Sequence, residues 1–258
     1  MKDIKIIFFD IDGTLVDPAT GKISGKTMEC LKRLHDNGIV LCIATGRPTA
    51  SLPNLSGVHI DAFCTFNGSL CYNNREVIHS APIPPKAVEK VLENATAMGR
   101  PVSVAVRNRL AANGWDEDLA GYYRLAGLEL SVSEDFSSAC EEPVYQIMLG
   151  CREADHPDII RDAEGVDITF SWNRAADVIP AGSGKAQAIQ KIIAYYQLDA
   201  SRALAFGDGH NDIEMLQTVG TGIAMGNASQ YIKELADDVC APVSEDGIYH
   251  YCLQHGLI

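Results

Sequence analysis

Basic residues are scarce in this chain. Against 34 Asp and Glu stand only 21 Lys and Arg, giving a net charge of −13 at neutral pH, and no run of clustered Lys or Arg occurs. Neutralising a phosphate backbone takes such clusters, so a nucleic-acid partner is excluded. Long apolar runs are missing as well. None reaches the roughly 20 residues that cross a bilayer, and the N-terminus enters a strand-like run without a leader-peptide pattern, so no membrane partner is expected. The eight cysteines include no C-x-x-C pair and no Cys/His metal spacing. Cys42, Cys64 and Cys151 lie inside apolar runs and read as buried thiols of a reducing compartment, which points to a cytoplasmic protein. Internal repeats and low-complexity segments are absent too.

What is present suffices for a large core. With 258 residues, 47% of them hydrophobic, the chain can build one large α/β domain, or a core with a smaller second domain. Ile6 to Phe9 read as a buried strand. Ser24 is placed to cap a helix in which Met28, Leu31 and Leu34 recur at helical spacing, with Gly38 as its stop. "IVLCIA" and "AFCTF" are continuous apolar runs, the pattern of parallel strands covered on both faces. Strand, helix, strand implies a right-handed crossover and a parallel sheet. "GSLCYNNREVIHSAP" carries Asn-Asn between β-type runs, a hairpin signal. From about Pro82 to Pro180 the pattern changes to helix (Pro85 to Met98), "PVSVAV", a polar stretch with Trp115, helix, "VYQIMLG", helix and "VDITFSW", an α+β module. The parallel pattern then resumes with a helix near Ser183, the strand "RALAF", a helix near Asn211, and "GIAM" and "DVCA". The expected fold is therefore α/β: a Rossmann-like parallel-sheet core over residues 1–81 plus 181–258, interrupted by an inserted α+β cap over 82–180.

In an open parallel sheet, ligands bind outside the carboxyl ends of the strands. Four such ends carry unusual polar residues: Asp10 and Asp12 after the first strand, Thr45-Gly46-Arg47 after "IVLCIA", Lys185 at a helix start, and "GDGHND" after "RALAF". Singly, each has a plain structural account. Asp-Gly is a common turn, a lone lysine is usually solvated, and Asp212 suits a helix N-terminus. Together they would make an acidic cluster of Asp10, Asp12, Asp208 and Asp212 that no structural role requires. Hard oxygen donors suit Mg²⁺, while the Thr45 hydroxyl, the Gly46 N–H and the Lys185 charge suit a phosphate. "AGSGK" is not a P-loop, because Ala186 follows the lysine where Ser or Thr is needed.

"DIDGTLVD", "IATGRP", the Lys185 region and "FGDGHNDIEML" resemble the four motifs of the haloacid dehalogenase superfamily of phosphatases. The ending "GIAMGNA…ADDVCAPVSEDGI" is similar to its Cof-type branch (subclass IIB), whose C2 cap is inserted between the second and third motifs. The third motif departs slightly, reading "GSGK" here. The resemblance implies Asp10 as the nucleophile that forms an aspartyl-phosphate and Asp12 as the general acid/base. It implies Mg²⁺ held by Asp10, Asp208 and Asp212, with Asp12 or, as the favoured contact, the backbone carbonyl of Ile11. Thr45, Gly46, Lys185 and Asn211 would bind the phosphate. Asp12 would start protonated in apolar or anionic surroundings while Asp10 stays ionised.

Further substrate contacts are open to either account. Arg47 could anchor substrate or pair with a core carboxylate. Asn67, in "FNGS", could serve the phosphate or only its turn. In the insert, Trp172 and Asp177 could touch substrate, or be packing and an ion pair. The expected partner is a small phosphorylated metabolite, with sugar phosphates favoured, and the expected state a monomer or weak homodimer. A phosphomutase and a non-catalytic phosphate-sensing module are the alternatives. Asp12 argues against the sensor, since sensing needs no general acid, and so does the long insert, since such segments are usually functional.

Overall fold

Ile6–Phe9, Val40–Ala44 and Ala203–Gly207 form the centre of an eight-stranded sheet in a computed structural model that describes residues 3–258. From one edge the strands run Asp238–Val239, Thr221–Ala224, Ala203–Gly207, Ile6–Phe9, Val40–Ala44, Ala62–Thr65, Leu70–Tyr72 and Val77–Ser80. Pairing is parallel from the first to Ala62–Thr65, and turns antiparallel at Leu70–Tyr72. The central strands are apolar at every position because both faces are covered. Ile6, Phe8, Cys42 and Ala205 pack with Ala188, Ile189 and Ile192 of the helix Lys185–Tyr195. On the opposite face Phe9 stacks on Phe206 at 5.6 Å, and Phe206 meets Tyr251 edge-on.

The helix Gly25–Asp36 begins as expected, with the Ser24 hydroxyl accepting from the Thr27 N–H. Its stop has the expected form too: Gly38 adopts φ +77°, a left-handed conformation that glycine takes without strain. The expected helix near Asn211 is instead a single 3-10 turn, His210–Asp212, followed by the helix Ile213–Thr218. Asn73 turns the hairpin after Leu70–Tyr72, its side-chain oxygen accepting from the N–H groups of Arg75 and Glu76.

The chain divides into two compact units. One takes the described residues up to Thr45, Pro53–His79 and Gly184–Ile258; the other takes Gly46–Leu52 and Ser80–Ser183. Gly46 and Arg47, which the sequence places in the core, thus group with the second unit. There the 3-10 turn Thr49–Ser51 lies beside the strand Arg109–Ala112.

The second unit holds a five-stranded antiparallel sheet, in the order Val166–Trp172, Ala175–Pro180, Val144–Gly150, Val102–Val106 and Arg109–Ala112. One face packs Val104, Ile147, Leu149 and Val178 against Val88 and Val91 of the helix Pro85–Ala97. Two of these strands escape a sequence reading. Arg109–Ala112 is only four residues long, and Ala175–Pro180 carries an aspartate and ends in proline, both poor strand signals. Among the described residues no helix is long and apolar enough to cross a membrane.

Candidate active site

Backbone pairing alone sets two carboxylates side by side. The register joins Phe9 to Phe206, and the Asp10 N–H continues the ladder to the Phe206 carbonyl at 3.0 Å. Asp10 and Asp208 therefore leave adjacent strand ends. Gly13, at φ +84°, lies so near Asp208 that a Cβ there would overlap its carboxylate. Glycine is required both for that approach and for the left-handed turn. The Thr14 hydroxyl donates to Asp208 Oδ1 at 2.9 Å, and Asn227 Nδ2 donates to Oδ2 at 3.1 Å and to the Gly13 carbonyl at 2.9 Å. Thr14 and Asn227 are site residues that the motif reading missed. Asn227 lies just beyond the end of the strand Thr221–Ala224, so the strand-end rule applied once more would have found it.

Lys185 occupies the middle of the cluster. Its side chain has no solvent exposure, and Nζ donates to Asp10 Oδ1 and Asp212 Oδ1, each at 2.6 Å. Burial works against its charge, but the two carboxylates outweigh it and hold the ammonium above the ordinary lysine pKa. Asp212, itself fully buried, accepts through Oδ2 from the N–H groups of Asp208 and Gly209 at 3.0 and 2.9 Å. It thus ties the loop to the lysine and stands behind Asp10 and Asp208.

The approach of Gly68 sets the position of the lysine's helix. Gly68 has φ +103°, and a Cβ there would overlap the carbonyl of Gly184, the residue that leads into the helix. Asn67, buried and left-handed at φ 51°, donates its N–H to the Thr45 carbonyl at 3.1 Å and accepts from Asn211 Nδ2 at 3.0 Å. Three separate motifs are locked together by those two bonds.

The electrostatics ask for a cation. Burial, followed by the charge of Asp212, pushes Asp10 well above the usual carboxylate range despite Lys185. The same two causes push Asp208 up to about 7. One buried ammonium does not neutralise three carboxylates. Ligand oxygens of Asp10, Asp208 and Asp212 all lie within 4.8 Å of one another, an all-oxygen donor set that fits a hard divalent ion such as Mg²⁺.

The structure differs from the sequence reading at the turn after the first strand. The Ile11 carbonyl accepts the N–H groups of Thr14, Leu15 and Val16 at 3.3, 2.9 and 2.7 Å, so the turn itself makes use of its lone pairs. Asp12 does not sit in apolar surroundings, since it is exposed.

Other candidates have their own surroundings. His210 is exposed. In the second unit, Arg47 Nη1 donates to the Ser51 carbonyl at 2.7 Å. Trp172 stacks on Tyr122 at 6.4 Å with the Arg174 guanidinium over its ring, and Asp177 accepts from the Tyr122 hydroxyl at 2.8 Å. Both contacts are made to Tyr122 of the helix Glu117–Leu125.

Comparison with known proteins agrees with this geometry. The family model for haloacid dehalogenase-like hydrolases matches residues 7–252. An HMP-PP phosphatase of an Enterobacter species (strain 638) is 34% identical, over 98% of this chain and 96% of its own length. The 5-amino-6-(5-phospho-D-ribitylamino)uracil phosphatase YitU of Bacillus subtilis is 29% identical over 97% of each chain. A solved structure of the subclass IIB sugar phosphatase BT4131 superimposes with a TM-score of 0.90 at 32% identity, covering 98% of this chain and 100% of its own. The chain belongs to the haloacid dehalogenase-like hydrolases, in the branch that holds these phosphatases.

Proposed function

We propose that the protein is a Mg²⁺-dependent phosphatase of small phosphorylated metabolites, sugar phosphates first among them, working through an aspartyl-phosphate. One observation carries the reading: Lys185 is buried between Asp10 and Asp212, beside Asp208. A carboxylate nucleophile, a fixed cation and a set of metal-binding oxygens thus share one dry place. Phosphoryl transfer depends chiefly on such positioning and charge stabilisation.

Asp10 attacks phosphorus, and the Asp10–phosphorus bond forms as the bond to the leaving oxygen breaks. Asp12 gives its proton to that oxygen, then takes one from the water that hydrolyses the acyl phosphate. Its exposure leaves it open to proton exchange. Lys185 orients Asp10 through Oδ1, and two of its three N–H donors are used on carboxylates, which leaves the third for a phosphate oxygen. Thr45, the Gly46 N–H and Asn211 take the other phosphate oxygens. Asn67, by holding Asn211, orients that contact. When bound, Mg²⁺ would neutralise the transferring group and keep Asp10 and Asp208 ionised at neutral pH. Without that charge Asp10 is held toward its protonated, non-nucleophilic form.

The relatives' names cover chemically different phosphorylated compounds, which supports the broad class; the preference for sugar phosphates is the finer part of the proposal. Phosphate release across a panel of phosphorylated metabolites, with Mg²⁺ and with chelator, tests both. Release should need Mg²⁺, be greatest for sugar phosphates, and vanish in Asp10→Asn. Equal release in chelator would overturn the metal assignment, and a better non-sugar substrate would overturn the substrate class.

A further inference from the structure

A second set of metal-type ligands lies at the opposite end of the core sheet. His35 is in the last turn of the helix Gly25–Asp36; His59 and Asp61 lead into the strand Ala62–Thr65. Ligand atoms of these three side chains all lie within 4.8 Å of one another. Asp10 and Asp208 follow their strands, whereas Asp61 precedes its own. In a parallel sheet with five-residue strands such as Val40–Ala44, that separates the two places by roughly 15 Å.

From this geometry we infer that His35, His59 and Asp61 form a binding site for a first-row transition-metal dication of the Zn²⁺ type, independent of the catalytic centre. Two imidazoles and a carboxylate are the donor set such ions prefer, while Mg²⁺ selects oxygen alone. With metal–ligand bonds of about 2.0–2.1 Å, neighbouring ligand atoms of a tetrahedral site stand about 3.3–3.4 Å apart. His59 Nε2 and Asp61 Oδ1 are 3.3 Å apart, so that edge already has the required length. The remaining two edges both end on His35 and must close by no more than about 1.5 Å, so a shift of the half-buried His35 ring closes them together. The imidazoles of His35 and His59 lie 4.6 Å apart between ring centroids with their planes tilted by 33°, neighbours within reach of one ion.

The carboxylate is held in place from behind. Asp61 Oδ2 accepts the Leu41 N–H at 2.9 Å, and the Asp61 N–H donates to the Leu41 carbonyl at 2.8 Å. Those bonds direct Oδ1 toward His59, as outer hydrogen bonds orient ligands in metal sites. His59 and Asp61 also line a cavity of about 430 Å³, together with Asn73, Arg75, Tyr195 and Tyr196. The fourth position of a three-ligand ion would open on it. An ion held here would join the end of the helix Gly25–Asp36 to the entry of two parallel strands.

The test is titration of metal-stripped protein with Zn²⁺ in saturating Mg²⁺, read against a colorimetric zinc chelator. Wild type should bind one equivalent that Mg²⁺ does not displace, with a rise in Tm. His59→Ala and His35→Gln should each weaken that binding at least about 10- to 100-fold, the scale known for loss of even an outer partner. Both should keep wild-type Mg²⁺-dependent hydrolysis, which shows that they fold. Unchanged Zn²⁺ affinity in both variants would place the ion on thiols or on the acidic cluster and overturn the inference. Absence of Zn²⁺ binding in wild type would overturn it equally.

Discussion

Replacing Lys185 by methionine keeps most of its stem and removes only the ammonium. In the native protein that ammonium lies 2.6 Å from carboxylates on each side, without exposure. Breaking a buried ion pair by removing one partner costs about 3–5 kcal/mol, because the other charge is left buried. Two carboxylates lose their partner here, but burial already holds Asp10 toward its protonated form, and Asp208 beside them is pushed up to about 7 with the lysine present. The penalty should therefore be near its full value at pH 8. It should shrink toward the roughly 1.5 kcal/mol of an ordinary core swap as pH falls to 5. At about 2–4 °C per kcal/mol for a chain of this size, Tm in chelator should fall by about 10 °C at pH 8 and much less at pH 5. Mg²⁺ supplies the missing positive charge and should raise the variant's Tm more than the wild type's; a ligand at one hundred times its Kd stabilises by about 2.7 kcal/mol. Thermal melts by circular dichroism at both pH values, with and without Mg²⁺, give all four numbers. A pH-independent loss of Tm, or an equal response of both proteins to Mg²⁺, would refute the charge-compensation account.

Gly13→Ala should shift Asp208 off Thr14 and Asn227 and lower both Mg²⁺ affinity and kcat/KM about 10- to 100-fold; unchanged Mg²⁺ dependence would show that the close approach is dispensable. The metal-free wild type should lose stability as pH rises from about 4 to 7. Over that range the folded state binds more protons than the unfolded one, because Asp208 moves from 3.8 to about 7 on folding. Saturating Mg²⁺ should flatten the curve, and a metal-free Tm that rises across the window would contradict the sign. In the second unit, Asp118 accepts from Arg152 Nη1 at 2.8 Å and Arg174 Nε at 2.7 Å. Asp118→Ala should lower stability by about 1–2 kcal/mol, a modest figure because both guanidiniums can rehydrate; denaturant melts with unchanged midpoint would argue that the cluster is ornamental to the fold.

Much of the acidic centre was legible because its signals are local. "IIFF" is apolar on both faces, so carboxylates that follow it need a partner, and the same holds for "ALAFG" and Asp208. The locking contacts were not legible. Asn67 with Asn211, and Gly68 with Gly184, join positions whose proximity depends on strand order, which no spacing encodes. The hydrogen bonds of the Ile11 carbonyl are hidden for a related reason: a backbone oxygen's partners depend on the turn it sits in, here one that directs three N–H groups at it. "AADVIP" hid as a strand because Asp177 is buried and its Oδ2 accepts from Tyr122, a pairing made in three dimensions.

Strand order also sets a timetable for synthesis. Ile6–Phe9 lies between Val40–Ala44 and Ala203–Gly207 in the sheet, but a growing chain offers only the first of these early. At about 5–20 residues per second, roughly 10–40 s pass before the strand on its other side has been made. During that interval an apolar strand shows a bare edge of unpaired N–H and C=O groups, the kind that other chains can join. Residues 80–183 emerge meanwhile and can fold on their own sheet. The strand that ends at Asp10 thus waits longest for its second neighbour, and its open edge is where a ribosome-associated chaperone would be most needed.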